Sequence, residues 1–125
     1  MKLTHCAIRI TNPGRSLEFY QLLGFARQRE ARLEKFQTTL YFLAGPEGLQ
    51  LELVHNRTKA ASPEMGDGFL HLGLEVENLD LFLEGLFTSG IEPAQKVFTT
   101  PEGMKICFLV DPDGYQVELM EHPQK

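Results

Sequence analysis

Apolar and polar residues alternate along Leu3–Ile10 and again along Phe69–Val76, the period-two pattern of strands with one buried face. Each run gives way to a segment of helical spacing. Leu79, Phe82, Leu83 and Leu86 recur at that spacing in the second case, and Leu17, Tyr20 and Leu23 do so more weakly in the first. Asn12 and Asn78 stand where a side-chain oxygen caps a helix, and Pro13 suits a first helical turn. Gly24 and Gly90 stand where a left-handed residue ends a helix. Arg27–Leu33 and Lys96–Thr99 follow as weakly patterned strands. Two clearer strands close each stretch, Thr38–Ala44 with Leu49–His55, and Met104–Val110 with Tyr115–Glu121. Their connections, Gly45-Pro46-Glu47-Gly48 and Asp111-Pro112-Asp113-Gly114, put Pro and Gly where tight turns need them.

The two stretches are copies of one unit. A shift of 66 positions aligns them without a gap and superposes twelve identities. His5 falls on His71, Asn12 on Asn78, Leu17-Glu18 on Leu83-Glu84, and Gly24 on Gly90. Phe42-Leu43 meets Phe108-Leu109, and Pro46, Gly48, Gln50 and Glu52-Leu53 meet Pro112, Gly114, Gln116 and Glu118-Leu119. Average composition predicts only about three or four such matches. The expected fold class is α+β, with two tandem βαβββ modules at residues 1–56 and 69–122. The polar segment 57–68, holding Pro63, Gly66 and Gly68, reads as a linker between them.

Composition narrows the picture further. At 125 residues the chain fits one compact domain, 1–125, or two fused half-domains sharing a core. With 42% hydrophobic and 23% charged residues it has a globular balance and no mark of disorder. A net charge of −5 argues against nucleic acid as the main partner. Arg27, Arg29 and Arg32 do cluster, but Glu30 and Glu34 interrupt them, so they read as a solvated strand or loop face. No apolar run reaches the length of a membrane span and no leader pattern opens the chain, so no membrane role is expected. Cys6 and Cys107 are the only cysteines; nothing requires them to pair, and the expected compartment is a reducing cytoplasm.

Strand parity then separates two faces. Cys6, Ile8 and Ile10 share one face of the first strand, leaving His5, Ala7 and Arg9 on the other. In its copy Leu70, Leu72, Leu74 and Val76 oppose His71 and Gly73. In the last strands Leu51 and Leu53 oppose Glu52 and Asn56, while Val117 and Leu119 oppose Glu118. The apolar faces suit helix packing. The others carry a His and a Glu at equivalent places in both copies. A carboxylate within an apolar strand is costly to bury unless paired or bound to a cation. One reading is two structural His–Glu hydrogen-bonded pairs. The symmetric fourfold pattern favours the other, a single divalent metal held by His5, Glu52, His71 and Glu118. His55 lies on the face opposite Glu52 and His122 near the C-terminus, so neither is expected as a ligand.

The pattern His5-x-x-x-Arg9, then Arg15-Ser16-Leu17-x-Phe19-Tyr20 with Leu23-Gly24-Phe25, resembles the opening of the glyoxalase I family within the vicinal oxygen chelate superfamily. The closing Asp111-Pro112-Asp113-Gly114-Tyr115 with Glu118-Leu119 is similar as well. The resemblance covers nearly the whole chain. It departs at Asn12-Pro13, where the family has an Asp region, and in a helix end one residue short. What it implies is a cup-shaped mixed β-sheet and one divalent metal per site, with nickel or cobalt favoured and zinc as the alternative. The implied reaction converts the hemithioacetal of methylglyoxal and its co-substrate glutathione to S-lactoylglutathione through an enediolate. Glu118 is the implied base, with Glu52 able to share the work, and Arg9 and Asn56 are the implied glutathione-binding residues. The family also implies a homodimer whose sites take His5 and Glu52 from one chain and His71 and Glu118 from the other. Acyl-CoA epimerases and metal-free drug-binding proteins of the bleomycin-resistance kind share the scaffold and are the alternatives. The epimerases usually carry Gln where this chain has Glu52, and a sequestering pocket needs no four-ligand set.

Overall fold

The computed structural model describes residues 1–124. The chain divides into two compact units, Met1–Glu64 and Met65–Lys125. In the first, β1 (Cys6–Arg9) leads into α1 (Pro13–Leu22), followed by β2 (Ala26–Leu33), β3 (Thr38–Ala44) and β4 (Gln50–Asn56). The second repeats the sequence with β5 (Leu72–Glu75), α2 (Leu79–Thr88), β6 (Phe98–Thr99), β7 (Lys105–Val110) and β8 (Gln116–Glu121). Each unit is thus one βαβββ module. Its four-stranded mixed sheet has the order β1-β4-β3-β2 in one case and β5-β8-β7-β6 in the other. The first strand runs parallel to the last, and the remaining pairs are antiparallel.

The helices form where the capping residues put them. Asn12 Oδ1 accepts from the Arg15 amide at 3.1 Å and Asn78 Oδ1 from the Leu81 amide at 3.0 Å, satisfying donors that a helix start leaves open. Both helices end alike. Gly24 and Gly90 take φ of +108° and +85°, and the amides of Phe25 and Ile91 reach back to the carbonyls of Tyr20 and Leu86. The core of the first unit gathers Ile8, Ile10, Leu51, Leu53 and Leu43 from the sheet with Phe19, Tyr20 and Leu23, all nearly inaccessible to solvent. Tyr20 sits edge-on to both Phe19 and Phe25, at centroid distances of 5.0 and 5.9 Å. In the second unit Leu79, Leu86, Cys107, Leu109, Val117 and Leu119 are buried.

Two sequence expectations need correction. The opening strands start three residues later than alternation suggests, at Cys6 rather than Leu3 and at Leu72 rather than Phe69. The ladder with the parallel partner begins only at Cys6–Leu51 and Leu72–Val117, so Leu3, Phe69 and Leu70 lie outside it and remain exposed. The alternation there reflects composition without a pairing partner. The sixth strand is also shorter than Lys96–Thr99, because only Phe98 and Thr99 find partners on β7.

Candidate functional site

Each sheet turns one face away from its helix, and on it a histidine meets a glutamate. Glu52 lies mid-strand in β4 with Ala7 beside it on one side and Phe42 on the other. His5, immediately before β1, brings Nε2 to 3.0 Å from Glu52 Oε2. Its Nδ1 is 2.8 Å from Thr4 Oγ1. With a cation on Nε2, Nδ1 would carry the proton and donate to the hydroxyl, an outer contact that would fix the ring. In the second unit Glu118 lies between Gly73 and Phe108. His71 Nε2 stands 3.7 Å from Glu118 Oε2, too far for a hydrogen bond, and its ring meets the edge of Phe108 at 5.3 Å. The carboxylate side chains are only 13% and 15% exposed, so each is largely withdrawn from water with one imidazole for company.

The donor set suits a borderline divalent metal. Nitrogen and carboxylate oxygen ligands bound at about 2.1 Å to one ion stand roughly 3.0 to 3.5 Å apart. The observed separations of 3.0 and 3.7 Å lie close to that range. Among the described residues, however, no three His, Cys, Asp or Glu side chains gather at one point. The structure therefore brings His5, Glu52, His71 and Glu118 together as two pairs, one in each unit.

Arg9 and Asn56 lie on the same face as Glu52, Arg9 at the end of β1 opposite Val54 and Asn56 at the end of β4. Asn56 Oδ1 accepts from the amide and hydroxyl of Thr58, at 3.0 and 2.8 Å. That leaves its NH₂ group as the end that can donate outward. His55 pairs across the sheet with Thr39 on the other face, and His122 Nε2 lies 2.9 Å from Glu75 Oε1. Phe42 and Arg29 complete the face of the first unit and were not visible in the sequence. A bulge between Arg27 and Arg29 shifts the register, so that Arg29 comes opposite Phe42 and the Arg29 Cζ stands 3.8 Å from its ring centroid. Strand parity counted from the weak pattern of β2 carries no sign of an extra residue.

The cysteines stand apart from this chemistry. Both are free, and burial pushes the Cys6 thiol upward and that of Cys107 up to about 11. Such thiols are poor nucleophiles near neutrality.

A paired His–Glu face on tandem βαβββ modules defines a recognisable class of protein. The family model of the Glyoxalase/Bleomycin resistance protein/Dioxygenase superfamily matches residues 2–119, and the chain belongs to that superfamily. Over 126 residues it is 31% identical to the lactoylglutathione lyase of Salmonella typhimurium, covering 97% of this chain and 93% of that one. The probable lactoylglutathione lyase of Synechocystis is 32% identical over 134 residues, covering 100% and 98%. The chain spans only 45% of the longer lactoylglutathione lyase of Schizosaccharomyces pombe, to which it is 33% identical. Glyoxalase I from Zea mays shares the fold at a TM-score of 0.87 and 22% identity, over 99% of this chain and 46% of that one. The trypanothione-dependent glyoxalase I of Leishmania major gives 0.81 at 27% identity, over 97% and 86%. No helix among the described residues is long and apolar enough to cross a membrane.

Proposed function

We propose that this chain is a metal-dependent lyase of the glyoxalase I kind, acting in the cytoplasm on the hemithioacetal of methylglyoxal and glutathione. The observation that carries the reading is the repetition of one His–Glu pair, its carboxylate largely shielded from water, on the same face of both modules. Relatives near 30% identity that carry the lactoylglutathione lyase name support it.

His5, Glu52, His71 and Glu118 are the residues that would hold the divalent ion, with nickel or cobalt favoured over zinc. When bound, the ion supplies Lewis acidity that stabilises negative charge on two adjacent substrate oxygens. The histidines would serve the ion as nitrogen donors and so take no part in proton transfer. Glu118 removes the carbon-bound proton of the hemithioacetal and returns it to the neighbouring carbon, by way of the enediolate, giving S-lactoylglutathione. Glu52, its counterpart by the repeat, would share that work by passing the hemithioacetal's hydroxyl proton to the neighbouring oxygen, so that a thioester carbonyl and a secondary alcohol result. Arg9 and Asn56 hold carboxylate and amide groups of glutathione, and the Thr58 contacts keep Asn56 oriented for it.

Each module offers two of the four donors, so the proposed assembly is a homodimer. Each site would take His5 and Glu52 from one chain and His71 and Glu118 from the other. The test of the activity is an ultraviolet assay with preformed hemithioacetal, repeated on the chelated protein after adding Ni, Co, Zn or Mn. Activity that vanishes on chelation and returns with Ni or Co is the expected result. No turnover with any of the four ions overturns the reading.

A further inference from the structure

The site face of the first unit extends beyond the His5–Glu52 pair, and cross-strand register maps it. One row reads Ala7, Glu52, Phe42 and Arg29 across β1, β4, β3 and β2; the next reads Arg9, Val54, Leu40 and Ala31. Two guanidinium-bearing residues therefore border this face at opposite edges of the sheet, with Val54, Leu40 and Ala31 forming an apolar floor between them.

The three arginines of β2 are not equivalent. Arg27 is paired with Glu30, and Arg32 with Glu34 at 2.7 Å. Arg29 has no carboxylate partner among the described residues. Its guanidinium lies instead over the Phe42 ring at 3.8 Å, a cation–π contact that holds it without spending an N–H donor on a carboxylate. The bulge is what puts it there, since without the register shift between Arg27 and Arg29 its side chain would share the helix-side row with Tyr41. A fixed guanidinium lacking a protein carboxylate, on the same face as a withdrawn Glu52, is suited to a carboxylate brought by a ligand.

The spacing adds a constraint. The two edge strands lie three strand intervals apart, about 14 Å. An extended tripeptide spans roughly 10 Å of backbone, and its terminal carboxylates together with the reach of the Arg9 side chain close the difference. A thiol with a carboxylate at each end of a short peptide meets both demands, whereas one with a single acidic end engages one edge only.

We propose that Arg29, held over Phe42, is a specificity-determining residue that takes one carboxylate of a dicarboxylate thiol while Arg9 takes the other. This rests on the glyoxalase-type reading and names the feature of the co-substrate that the face selects. Arg29 is a binding residue; Phe42 is a positioning residue that acts through it.

The test is calorimetric binding of S-methylglutathione and of its dimethyl ester to the metal-loaded wild type, Arg29→Gln and Phe42→Leu, with Arg32→Gln as a surface control. Arg29→Gln should weaken the diacid about tenfold, as expected for loss of a charge-assisted contact. It should bind the ester as wild type does. Phe42→Leu should weaken the diacid by a smaller factor, and Arg32→Gln should change nothing. Equal weakening of diacid and ester by Arg29→Gln, or no weakening of either, overturns the proposal, as does a wild type that binds neither compound. A wild type that binds the diacid through Arg29 yet fails to isomerise the hemithioacetal overturns the isomerase reading and leaves the carboxylate site in place.

Discussion

Gly73 lies directly across the β5–β8 pair from Glu118, and a methyl group built on it would come within 3.2 Å of Met120 Cε and 3.7 Å of Glu118 Oε1. The missing side chain thus keeps open the space in which the carboxylate sits. Met120 Cε ends a flexible chain and can yield a few tenths of an ångström, so Gly73→Ala should be nearly silent. Gly73→Leu should push the carboxylate aside. The expected outcome is metal affinity lowered about tenfold or more by calorimetry, with an unchanged far-ultraviolet dichroism spectrum. Unchanged affinity for Gly73→Leu would separate Glu118 from the ligand set.

The turn that delivers β8 depends on Asp111. Its buried carboxylate accepts from the amides of Asp113 and Tyr115, at 2.8 and 2.9 Å. Asp111→Ala leaves two amides without that acceptor and should cost on the order of 2 kcal/mol, read from denaturant unfolding. The equivalent turn in the first module has Gly45 at that position, and there Glu47 takes a left-handed φ of +62°. Glu47→Gly should therefore be neutral or slightly stabilising, the opposite sign from Asp111→Ala.

Burial raises the Cys107 thiol to about 11, which fixes a pH window. An unfolded cysteine ionises near pH ~8.5. The stability gained from keeping this thiol neutral is therefore whole below that value. It falls as pH rises toward the folded value, because the unfolded chain loses its proton first. Between pH 8 and 11 the melting temperature of wild type should drop further than that of Cys107→Ala. Parallel curves for the two proteins would show that the buried thiol does not contribute.

Much of this was legible beforehand because the repeat checks itself. Glu52 alone is an ordinary polar residue in a strand; Glu52 with Glu118, each beside a histidine on the same parity, is a pattern, and within each unit the structure sets the histidine near its glutamate. Helix limits were legible too, since Asn12, Asn78, Gly24 and Gly90 act through local backbone bonds that the sequence encodes directly. What pairing decides was not legible. Leu3, Phe69 and Leu70 alternate like strand residues but meet no ladder. Arg29 lies on an exposed strand, as its interleaved charges imply, but which sheet face it takes was not legible, because the bulge at Gln28 arises from how β2 meets β3, a non-local fact. Whether the two His–Glu pairs serve one ion depends on how modules are brought face to face, which a pattern along one chain does not encode.

The proposed sharing of sites between chains has a direct consequence for mixed dimers. A His5→Ala chain and a Glu118→Gln chain should each be inactive alone. After subunit exchange, the mixed dimer holds one intact site and one doubly damaged site, so activity should partly return. Activity that stays at the level of the separate variants, with exchange verified by mass spectrometry, would place each site within a single chain.

In the proposed mechanism the Glu118 carboxylate transfers the proton while Arg9 only binds. Steady-state kinetics of metal-saturated Glu118→Gln and Arg9→Ala, with occupancy verified, tests it most directly. Loss of a general base costs about two to four orders of magnitude, so kcat should collapse in Glu118→Gln. Arg9→Ala should mainly raise KM, by removing a contact made about equally in ground and transition states. A near-normal kcat for metal-loaded Glu118→Gln would contradict that assignment and move the role of base to Glu52.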